Sequence, residues 1–550
     1  MKADYIFVGS AIFTGGGEPL LKGIVAVCGG EVAYVGSGEN IRDLTGPETK
    51  VIDVGDRLLA PGFIDAHEHL YFSAFSLAPF VASLLDCASE EECAARLGTQ
   101  ADAPTSNGWV FGMDWYHLGW ERPSLPTKRS LDLRFPNTPV CLIAQDLHSV
   151  WLNSAALAKL GLERDSVPPG GGTYARFDDG ELTGVAKEAA ATSLLSQIIR
   201  LPAEEELSLY RKMLRGLCAQ GITSVCDMGL STGASPDFVR EDILDKLLSR
   251  GELSARVRMF PSVTTDTGRL RSLSARYTGG LLGCGGGKQF FDGVSSSHTA
   301  LLKTPYANAD FEGDCGCATV EPERMRRIIL GAAAQGFGVR VHAIGDEAIH
   351  LLIDYFSEAE GLYEGFRGAP HSIEHLENLQ PEDIARIGAT NIVASVQPMH
   401  LVLDPAGIER DLGAERTPYS WPFKSLIDHG AALAFGTDAP IVDANPMETL
   451  YAAVTRQYPR TGLPEGGWYP GERITLSQAL EAYTAGAAMA AGLGGGAGRL
   501  APGTLADIVV LDRNMFSRPA EELLETRVEL TMVNGAVVYD TGALTADGRN

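Results

Sequence analysis

Apolar and polar residues alternate with the two-residue period of a β-strand near both ends of the chain. Near the start the pattern covers residues 5–8, 23–28, 31–36 and 50–54, and near the end it covers 506–511 and 528–539. The pair Asn534-Gly535 inside the last run is typical of a hairpin turn. Because chain ends are often neighbours in compact proteins, the pattern predicts one small β-sandwich domain built from residues 1–60 and 498–550.

Between these ends, short apolar runs alternate with helical stretches, which is typical of parallel α/β proteins. The predicted strands cover residues 63–69, 223–228, 256–263, 288–292, 338–342, 371–375, 392–397 and 432–437. They predict a TIM (β/α)8 barrel over residues 61–497, with an insertion at about 76–205 after its first strand. The insertion has strand patterns at 109–113 and 140–144, and we expect it to shape a substrate pocket.

Composition and charge narrow the class of protein. The 550 residues are 45% hydrophobic and 21% charged, which is typical of a folded chain with a large core. A formal charge of -25 repels phosphate backbones and anionic membranes, so we expect a small-molecule substrate and neither nucleic acid nor membrane as a partner. The first residues lack the apolar run of a signal peptide, which predicts a cytoplasmic protein. Whether the protein forms a homo-oligomer stays open.

Nine cysteines, scattered and odd in number, argue against a disulfide framework. The candidate chemistry lies instead in histidines at strand ends. His67 and His69 alternate on the first predicted barrel strand, so both imidazoles lie on one face. Taken alone, this pair fits either a metal site or two satisfied polar histidines.

Further polar residues fall at the ends of the later strands. His342 ends the fifth strand, His375 ends the sixth, Asp438 follows the eighth and Lys288 lies in the fourth. Every one of them can face the mouth of a barrel, where barrel enzymes keep their active sites. Independent accidents would rarely bring together so many imidazoles and a carboxylate, so the sequence predicts a metal site there.

These motifs resemble the amidohydrolase superfamily, whose pattern is His-x-His, a lysine on strand four, two further histidines and an Asp after strand eight. Closer matches indicate the amidohydrolase family 3 branch, which includes enzymes resembling N-substituted formamide deformylase. The matching segments are PGFIDAHEH (61–69), DLHSVWLNS (146–154), KQFFDG (288–293), IEH (373–375), GTDAP (436–440) and GTLAD (503–507).

The resemblance implies how the metal would be held. His67, His69 and Asp438 would bind one ion and His342 and His375 a second, and imidazole ligands suit zinc. Lys288 would be carboxylated and bridge the two ions, as in related barrels. Alternatively Lys288 pairs with Asp292 or Asp227 inside the barrel, Glu188 supplies the bridging carboxylate, or the site holds a single ion.

The function implied is a metal-dependent hydrolase of a non-peptide C–N bond in an amide. A bound dication lowers the pKa of water, and Asp438 would take the proton and deliver it to the leaving amine. A ring-amidine deaminase is an alternative, although such relatives carry Glu where this chain has Gly345. Carbamate, ester or lactone hydrolysis stays open, and so does a non-catalytic scaffold that has lost metal ligands.

Other residues are candidates for contacts with the substrate. The resemblance implies that His148, in the insertion, and His400, after the seventh strand, lie near the substrate, where each could polarise a carbonyl or bind a carboxylate. Both fit a structural role equally well. His298 occupies a position where many relatives have Arg. Trp115 and Trp120 could line an apolar pocket, although core packing is the commoner use of tryptophan.

Overall fold

The computed structural model describes residues 2–16, 22–39, 41–99, 107–233, 236–362 and 369–544. Its strands are β1 (Tyr5–Ile12), β2 (Gly23–Cys28), β3 (Glu31–Gly36), β4 (Lys50–Pro61), β5 (Phe63–Glu68), β6 (Val81–Ser83), β7 (Val110–Trp115), β8 (Val140–Ala144), β9 (Ser149–Leu152), β10 (Gly172–Arg176), β11 (Leu182–Glu188), β12 (Ile222–Met228), β13 (Arg256–Phe260), β14 (Thr278–Gly279), β15 (Leu282–Cys284), β16 (Gly287–Phe290), β17 (Val339–Ala343), β18 (Ser372–His375), β19 (Val393–Val396), β20 (Ala432–Phe435), β21 (Ile508–Leu511), β22 (Val528–Val533) and β23 (Ala536–Asp540).

The α-helices are α1 (Ile41–Leu44), α2 (Leu70–Ser76), α3 (Glu90–Arg96), α4 (Lys128–Arg134), α5 (Ser154–Leu160), α6 (Ala189–Ile198), α7 (Ala203–Ala219), α8 (Glu241–Ser249), α9 (Gly268–Arg276), α10 (Pro322–Ala333), α11 (Asp346–Leu362), α12 (Pro381–Gly388), α13 (His400–Leu403), α14 (Pro405–Leu412), α15 (Phe423–Asp428), α16 (Pro446–Thr455), α17 (Leu476–Glu481) and α18 (Ala487–Ala490). No helix among the described residues is both long enough and apolar enough to cross a membrane.

Strands from both ends of the chain lie in one sheet, here called the terminal sheet, in the order β23-β22-β21-β4-β1-β2-β3. β4 is parallel to β1 and antiparallel to β21, with Ile508 opposite Pro61. One face of this sheet buries Phe7, Val25 and Val510, as the strand alternation in the sequence predicts. The two ends of the chain are therefore joined by backbone hydrogen bonds.

The chemistry-bearing strands form two further sheets. The first core sheet has the order β14-β15-β13-β12-β5 and the second has the order β16-β17-β18-β19-β20. Each predicted barrel strand is present, as β5, β12, β13, β16, β17, β18, β19 and β20, and these strands pair in parallel wherever they are neighbours within a sheet. Their residues are almost all buried, because helices cover strands that are buried on both faces.

Backbone hydrogen bonds also link the two core sheets to each other. On one side, Lys288 N–H donates to the carbonyl of Pro261 at 2.9 Å and Val263 N–H donates to that of Lys288 at 3.0 Å. On the other side, Asp438 N–H donates to the carbonyl of His67 at 2.7 Å and His69 N–H donates to that of Ala439 at 2.9 Å. The second link joins the end of β5 to the segment after β20, so residues from opposite ends of the sequence become neighbours.

The helices between these strands form for local reasons that α10 illustrates. The Glu321 carboxylate accepts the N–H groups of Glu323 and Arg324, and Pro322 occupies the first helical position, where its missing N–H costs nothing. Met325, Ile328, Ile329 and Ala332 then recur at helical spacing and are buried. The same spacing predicts the helix from the sequence.

The insertion between β5 and β12 forms its own sheet in the order β10-β11-β9-β8-β7-β6. Trp115, Trp120 and Trp151 pack together in its core, with ring centroids 6.2 to 6.4 Å apart. The insertion is therefore a folded sheet with its own core rather than a long loop.

A buried ion pair ties the terminal sheet to the first core sheet. Arg256, in β13, lies 3.1 Å from Asp507, just before β21, and both side chains are less than 5% exposed. Asp507 also accepts the N–H of Asn534 at 2.6 Å. Because a buried charge is costly without its partner, this pair fixes how the two sheets meet.

Candidate metal centre

His67, His69 and Asp438 meet where β5 ends and β20 is followed by a loop. The Nε2 atoms of His67 and His69 lie 3.3 and 3.2 Å from Asp438 Oδ1. The strand alternation brings both imidazoles to one face, and the backbone bonds between residues 67–69 and 438–439 bring the carboxylate to them. Each of the three offers a ligand atom within 4.8 Å of the others, so together they could hold a metal ion.

His342 and His375 continue this cluster from β17 and β18. The ring of His375 lies 4.4 Å from that of His342 and 5.0 Å from that of His67, measured between centroids. His375 Nδ1 is 3.9 Å from Asp438 Oδ2. The structure therefore brings together the four strand-end histidines and the aspartate that the sequence singled out.

Four buried ligand atoms of this cluster are available to bind a cation. His67 Nε2, His342 Nδ1, His375 Nδ1 and Asp438 Oδ1 are buried and have no hydrogen-bond partner among the described residues. Such orphaned atoms are costly in a protein interior unless something binds them. Imidazole and carboxylate donors suit a divalent transition metal.

The opposite nitrogens of the imidazoles are held by hydrogen bonds. His67 Nδ1 lies 2.6 Å from the Glu374 carboxylate, His69 Nδ1 lies 2.9 Å from the carbonyl of Met228 and His342 Nε2 lies 3.1 Å from that of Gly293. Such partners fix the tautomer and aim the other nitrogen at a metal. Burial lowers the pKa of His67 to about 4 and those of His342 and His375 well below the ordinary value, so all three are neutral and able to bind a cation.

Glu374 is a site residue to which the sequence analysis gave no role. It lies fully buried and accepts hydrogen bonds from Arg340 at 2.8 and 3.0 Å as well as from the hydroxyl groups of Ser372 and Ser395. Burial alone would raise the pKa of Glu374, but Arg340 and His67 outweigh it and hold the pKa well below its usual range. A charged residue beside His375 in a buried strand was the available signal.

Glu374→Gln is expected to weaken metal binding by about 10–100-fold, because it removes the charged acceptor that orients His67. Competition between the protein and a chromophoric chelator measures this affinity. The exposed Glu382→Gln is the matched control and should bind metal as the unmodified protein does. Loss of thermal stability with unchanged metal affinity would show that Glu374 serves only to neutralise Arg340.

Lys288 lies fully buried in β16 behind this cluster. Its Nζ has no hydrogen-bond partner among the described residues and lies 4.7 Å from the centre of the Phe290 ring. Asp292 instead accepts the N–H groups of Leu301, Ile344 and Gly345, so the predicted alternative of a Lys288–Asp292 pair is not observed. Asp227 likewise accepts the N–H of Leu70. Burial lowers the pKa of Lys288 to about 8, which makes the neutral fraction of the amine larger than that of an ordinary lysine.

His148 and Glu188 form a pair at the edge of the insertion. His148 Nδ1 lies 2.7 Å from Glu188 Oε2, and the hydroxyl of Thr299 donates to Glu188 Oε1 at 3.1 Å. The His148 ring is 5.3 Å from that of His342. Burial opposes protonation, but the Glu188 carboxylate outweighs it and raises the pKa of His148 to about 9. Glu188 therefore makes His148 an imidazolium at neutral pH.

His400 opens α13 on the other side of the cluster. Its Nε2 lies 3.9 Å from Asp438 Oδ2 and its Nδ1 lies 3.9 Å from Glu377 Oε1. Burial raises the pKa of Glu377, a second residue without a predicted role.

Two predicted substrate residues lie elsewhere. His298 lies 2.9 Å from Asp314 and stacks on Tyr306 with ring centroids 4.2 Å apart. Trp115 is 2% exposed inside the tryptophan core of the insertion, and its indole N–H donates to the carbonyl of Leu142. The structure does not bring either side chain to the cavity described next.

A cavity of about 400 Å³ opens over the cluster. His148, His342, His375, His400 and Asp438 form part of its wall. Its apolar wall comes from both the insertion and the loops after the core strands, and includes Leu84, Leu403, Ile408, Trp421 and Ile441. The segment between β5 and β12 lines this cavity through residues 84–87, 114, 116, 119, 145, 146 and 148.

Known proteins resemble this chain along nearly its whole length. The model of the amidohydrolase family matches residues 50–539. Protein LONG AFTER FAR-RED 3 of Arabidopsis thaliana is 30% identical over 98% of this chain and 92% of its own length. N-substituted formamide deformylase of Arthrobacter pascens is 27% identical over 94% of each chain. A crystal structure of an uncharacterized metal-dependent hydrolase from Pyrococcus horikoshii covers 94% of this chain and 99% of its own, with 26% identity and a TM-score of 0.72.

Proposed function

The chain belongs to the amidohydrolase family, and we propose that it hydrolyses the amide bond of small N-substituted formamides and related N-acyl amines. It is a metal-dependent hydrolase that acts on C–N bonds other than peptide bonds. The observation that carries the proposal is the buried cluster of His67, His69, His342, His375 and Asp438, in which His67 Nε2, His342 Nδ1, His375 Nδ1 and Asp438 Oδ1 have no hydrogen-bond partner among the described residues.

In this proposal His67, His69 and Asp438 would hold the first cation, and His342 and His375 would help to hold a second. Zinc suits the imidazole-rich donor set. Lys288 would be carboxylated, which is supported by its unpaired Nζ and its lowered pKa, because carbon dioxide adds to a neutral amine. When bound, a divalent cation supplies Lewis-acid activation of water and of the amide carbonyl.

Asp438 moves the proton. Burial alone would raise its pKa, but the neighbouring imidazoles of His67 and His69 lower the pKa below the ordinary value, so the carboxylate is ionised. It can accept the proton of the attacking water and pass it to the amide nitrogen, which leaves readily only as a protonated amine. His148, as an imidazolium, would stabilise the negative charge that develops on the carbonyl oxygen.

Glu188→Gln should shift the basic limb of the kcat/KM profile to lower pH. Glu188 raises the pKa of His148 from 6.5 to about 9, so His148 keeps its proton below about pH 9. Without that carboxylate the pKa of His148 falls towards its ordinary value of 6.5, at which about one thirtieth of the imidazole is protonated at about pH 8. Glu163→Gln on the insertion surface is the control. Identical profiles for the two variants would remove His148 from the mechanism.

The cavity supports an amide with a modest apolar substituent. A volume of about 400 Å³ accommodates a small molecule, and Leu403, Ile408 and Trp421 offer apolar contacts for the group on nitrogen. The relative from Arthrobacter pascens is named for substrates of this kind.

Residue 345 argues against the deamination of ring amidines. A Cβ added to Gly345 would lie 2.0 Å from the carbonyl oxygen of Leu301, so the Glu expected in such deaminases has no room there.

We also propose that the two core sheets close into one (β/α)8 barrel. Support comes from the links between residues 261–263 and 288 and between residues 67–69 and 438–439. The terminal sheet supports a separate β domain made of residues 1–60 and 498–550.

The decisive experiment screens N-formyl amines, N-acyl amino acids, cyclic amides and carbamates with the zinc-loaded protein. Release of amine and formate from N-formyl benzylamine or a similar compound is the expected result. Hydrolysis restricted to esters or carbamates would contradict the proposed substrate class.

A further inference from the structure

The two carboxylate oxygens of Asp438 face different pairs of imidazoles. Oδ1 lies 3.3 and 3.2 Å from the Nε2 atoms of His67 and His69. Oδ2 lies 3.9 Å from His375 Nδ1 and 3.9 Å from His400 Nε2. A carboxylate placed in this way can bridge two cations, one on each side.

His400 has the features of a metal ligand. Its Nε2 is buried and has no hydrogen-bond partner among the described residues, as is true of His67 Nε2. Its Nδ1 lies 3.9 Å from Glu377 Oε1, which is longer than the 2.6 Å hydrogen bond between His67 Nδ1 and Glu374 but places a carboxylate on the same side of the ring. A histidine between a carboxylate and a metal is a common arrangement, because the carboxylate orients the ring and raises its basicity.

His375 and Glu377 lie close enough to His400 to share an ion with it. Each of these three residues offers a ligand atom within 4.8 Å of the others. The rings of His375 and His400 are nearly parallel, with an interplanar angle of 15°. No nitrogen of His342 lies within 4.0 Å of Asp438 among the described ion pairs, whereas His375 Nδ1 and His400 Nε2 both do.

We propose that His400 is a ligand of the second divalent cation, together with His375 and Asp438 Oδ2, and that Glu377 positions it. The inference rests on the proposed function, since Asp438 is shared with the first cation. His400 belongs to α13, which lines the cavity, whereas the other histidine ligands end core strands. We therefore expect the second cation to bind more weakly than the first.

Titration of the metal-free protein with Co²⁺, followed by calorimetry and by metal analysis after gel filtration, tests this assignment. The unmodified protein should bind two equivalents and His400→Ala only one. Glu377→Gln should weaken the second equivalent by about 10–100-fold and leave the first unchanged. His429→Ala, at an exposed histidine, is the matched control and should bind two. Two equivalents of unchanged affinity in His400→Ala, or a single equivalent in the unmodified protein, would overturn the proposal.

A second variant tests the assignment through the appearance of a new signal rather than through the loss of metal binding. In His400→Cys, a thiolate replaces the imidazole and should give a cobalt–thiolate charge-transfer band in the near ultraviolet. The band should appear with the second equivalent and not in the unmodified protein. Its absence from a folded His400→Cys variant that still binds two equivalents contradicts ligation by His400. Failure of the proposed function would look different, because the protein would bind both ions normally and hydrolyse no amide.

Discussion

Asp438→Asn is expected to lower kcat for amide hydrolysis by about 10²–10⁴-fold. The amide that replaces the carboxylate keeps an oxygen close to His67 and His69 but cannot accept the proton of water or return it to the leaving nitrogen. Steady-state kinetics of the zinc-loaded variant measures the effect, and metal analysis establishes whether the ion is still bound.

Asp428→Asn is the matched control for this variant, because Asp428 is half exposed at the end of α15 and pairs only with Lys424 among the described ion pairs. It should leave kcat unchanged. An Asp438→Asn protein that holds its metal and keeps most of its kcat would assign the proton transfer to another group.

Removal of divalent cations should abolish hydrolysis and also lower the Tm. A cation present at about 1,000 times its Kd contributes about 4 kcal/mol to the free energy of unfolding, because it binds only the folded chain. We expect chelation to remove this contribution and zinc to restore both activity and Tm. Differential scanning calorimetry with and without chelator measures the shift.

The double variant His67→Ala/His69→Ala is the matched test of where that cation binds. His67 and His69, two of the three proposed ligands of the first cation, are then missing. The Tm of the double variant should therefore respond only weakly to chelator. An equally large shift in the double variant would place the stabilising ion elsewhere, and chelated protein that still hydrolyses amides would contradict metal dependence.

Much of the fold is predictable because it depends on local patterns. The core strands are continuous apolar runs between helical stretches, and both properties are visible in a short window of sequence. Strand ends then indicate which side chains share an edge, and this is why the sequence alone groups His67, His342, His375 and Asp438.

The missed residues depend on contacts between distant segments. Glu374 gains its role from His67, which is 307 positions away, and Glu377 from His400. A buried glutamate beside a histidine can serve many purposes, and the sequence does not say which. Trp115 is similar, because its packing against Trp151 depends on β7 and β9 lying on the two sides of β8 in one sheet.

The sequence patterns also do not predict how many strands the insertion contains. The sequence predicts two strands there, whereas the structure has β6 to β11 among its described residues. β10 has half-buried and exposed residues without a clear alternation, so no two-residue period marks it.

The position of β4 in the terminal sheet has a consequence for synthesis on the ribosome. β4 runs almost directly into β5, yet one of its two neighbours, β21, is translated after the whole catalytic region. Until residues 508–511 emerge, the nascent chain carries an open strand edge along Leu59 and Ala60, and such edges invite aggregation. The terminal sheet of this enzyme is therefore completed only at the end of synthesis, when β21 covers that edge.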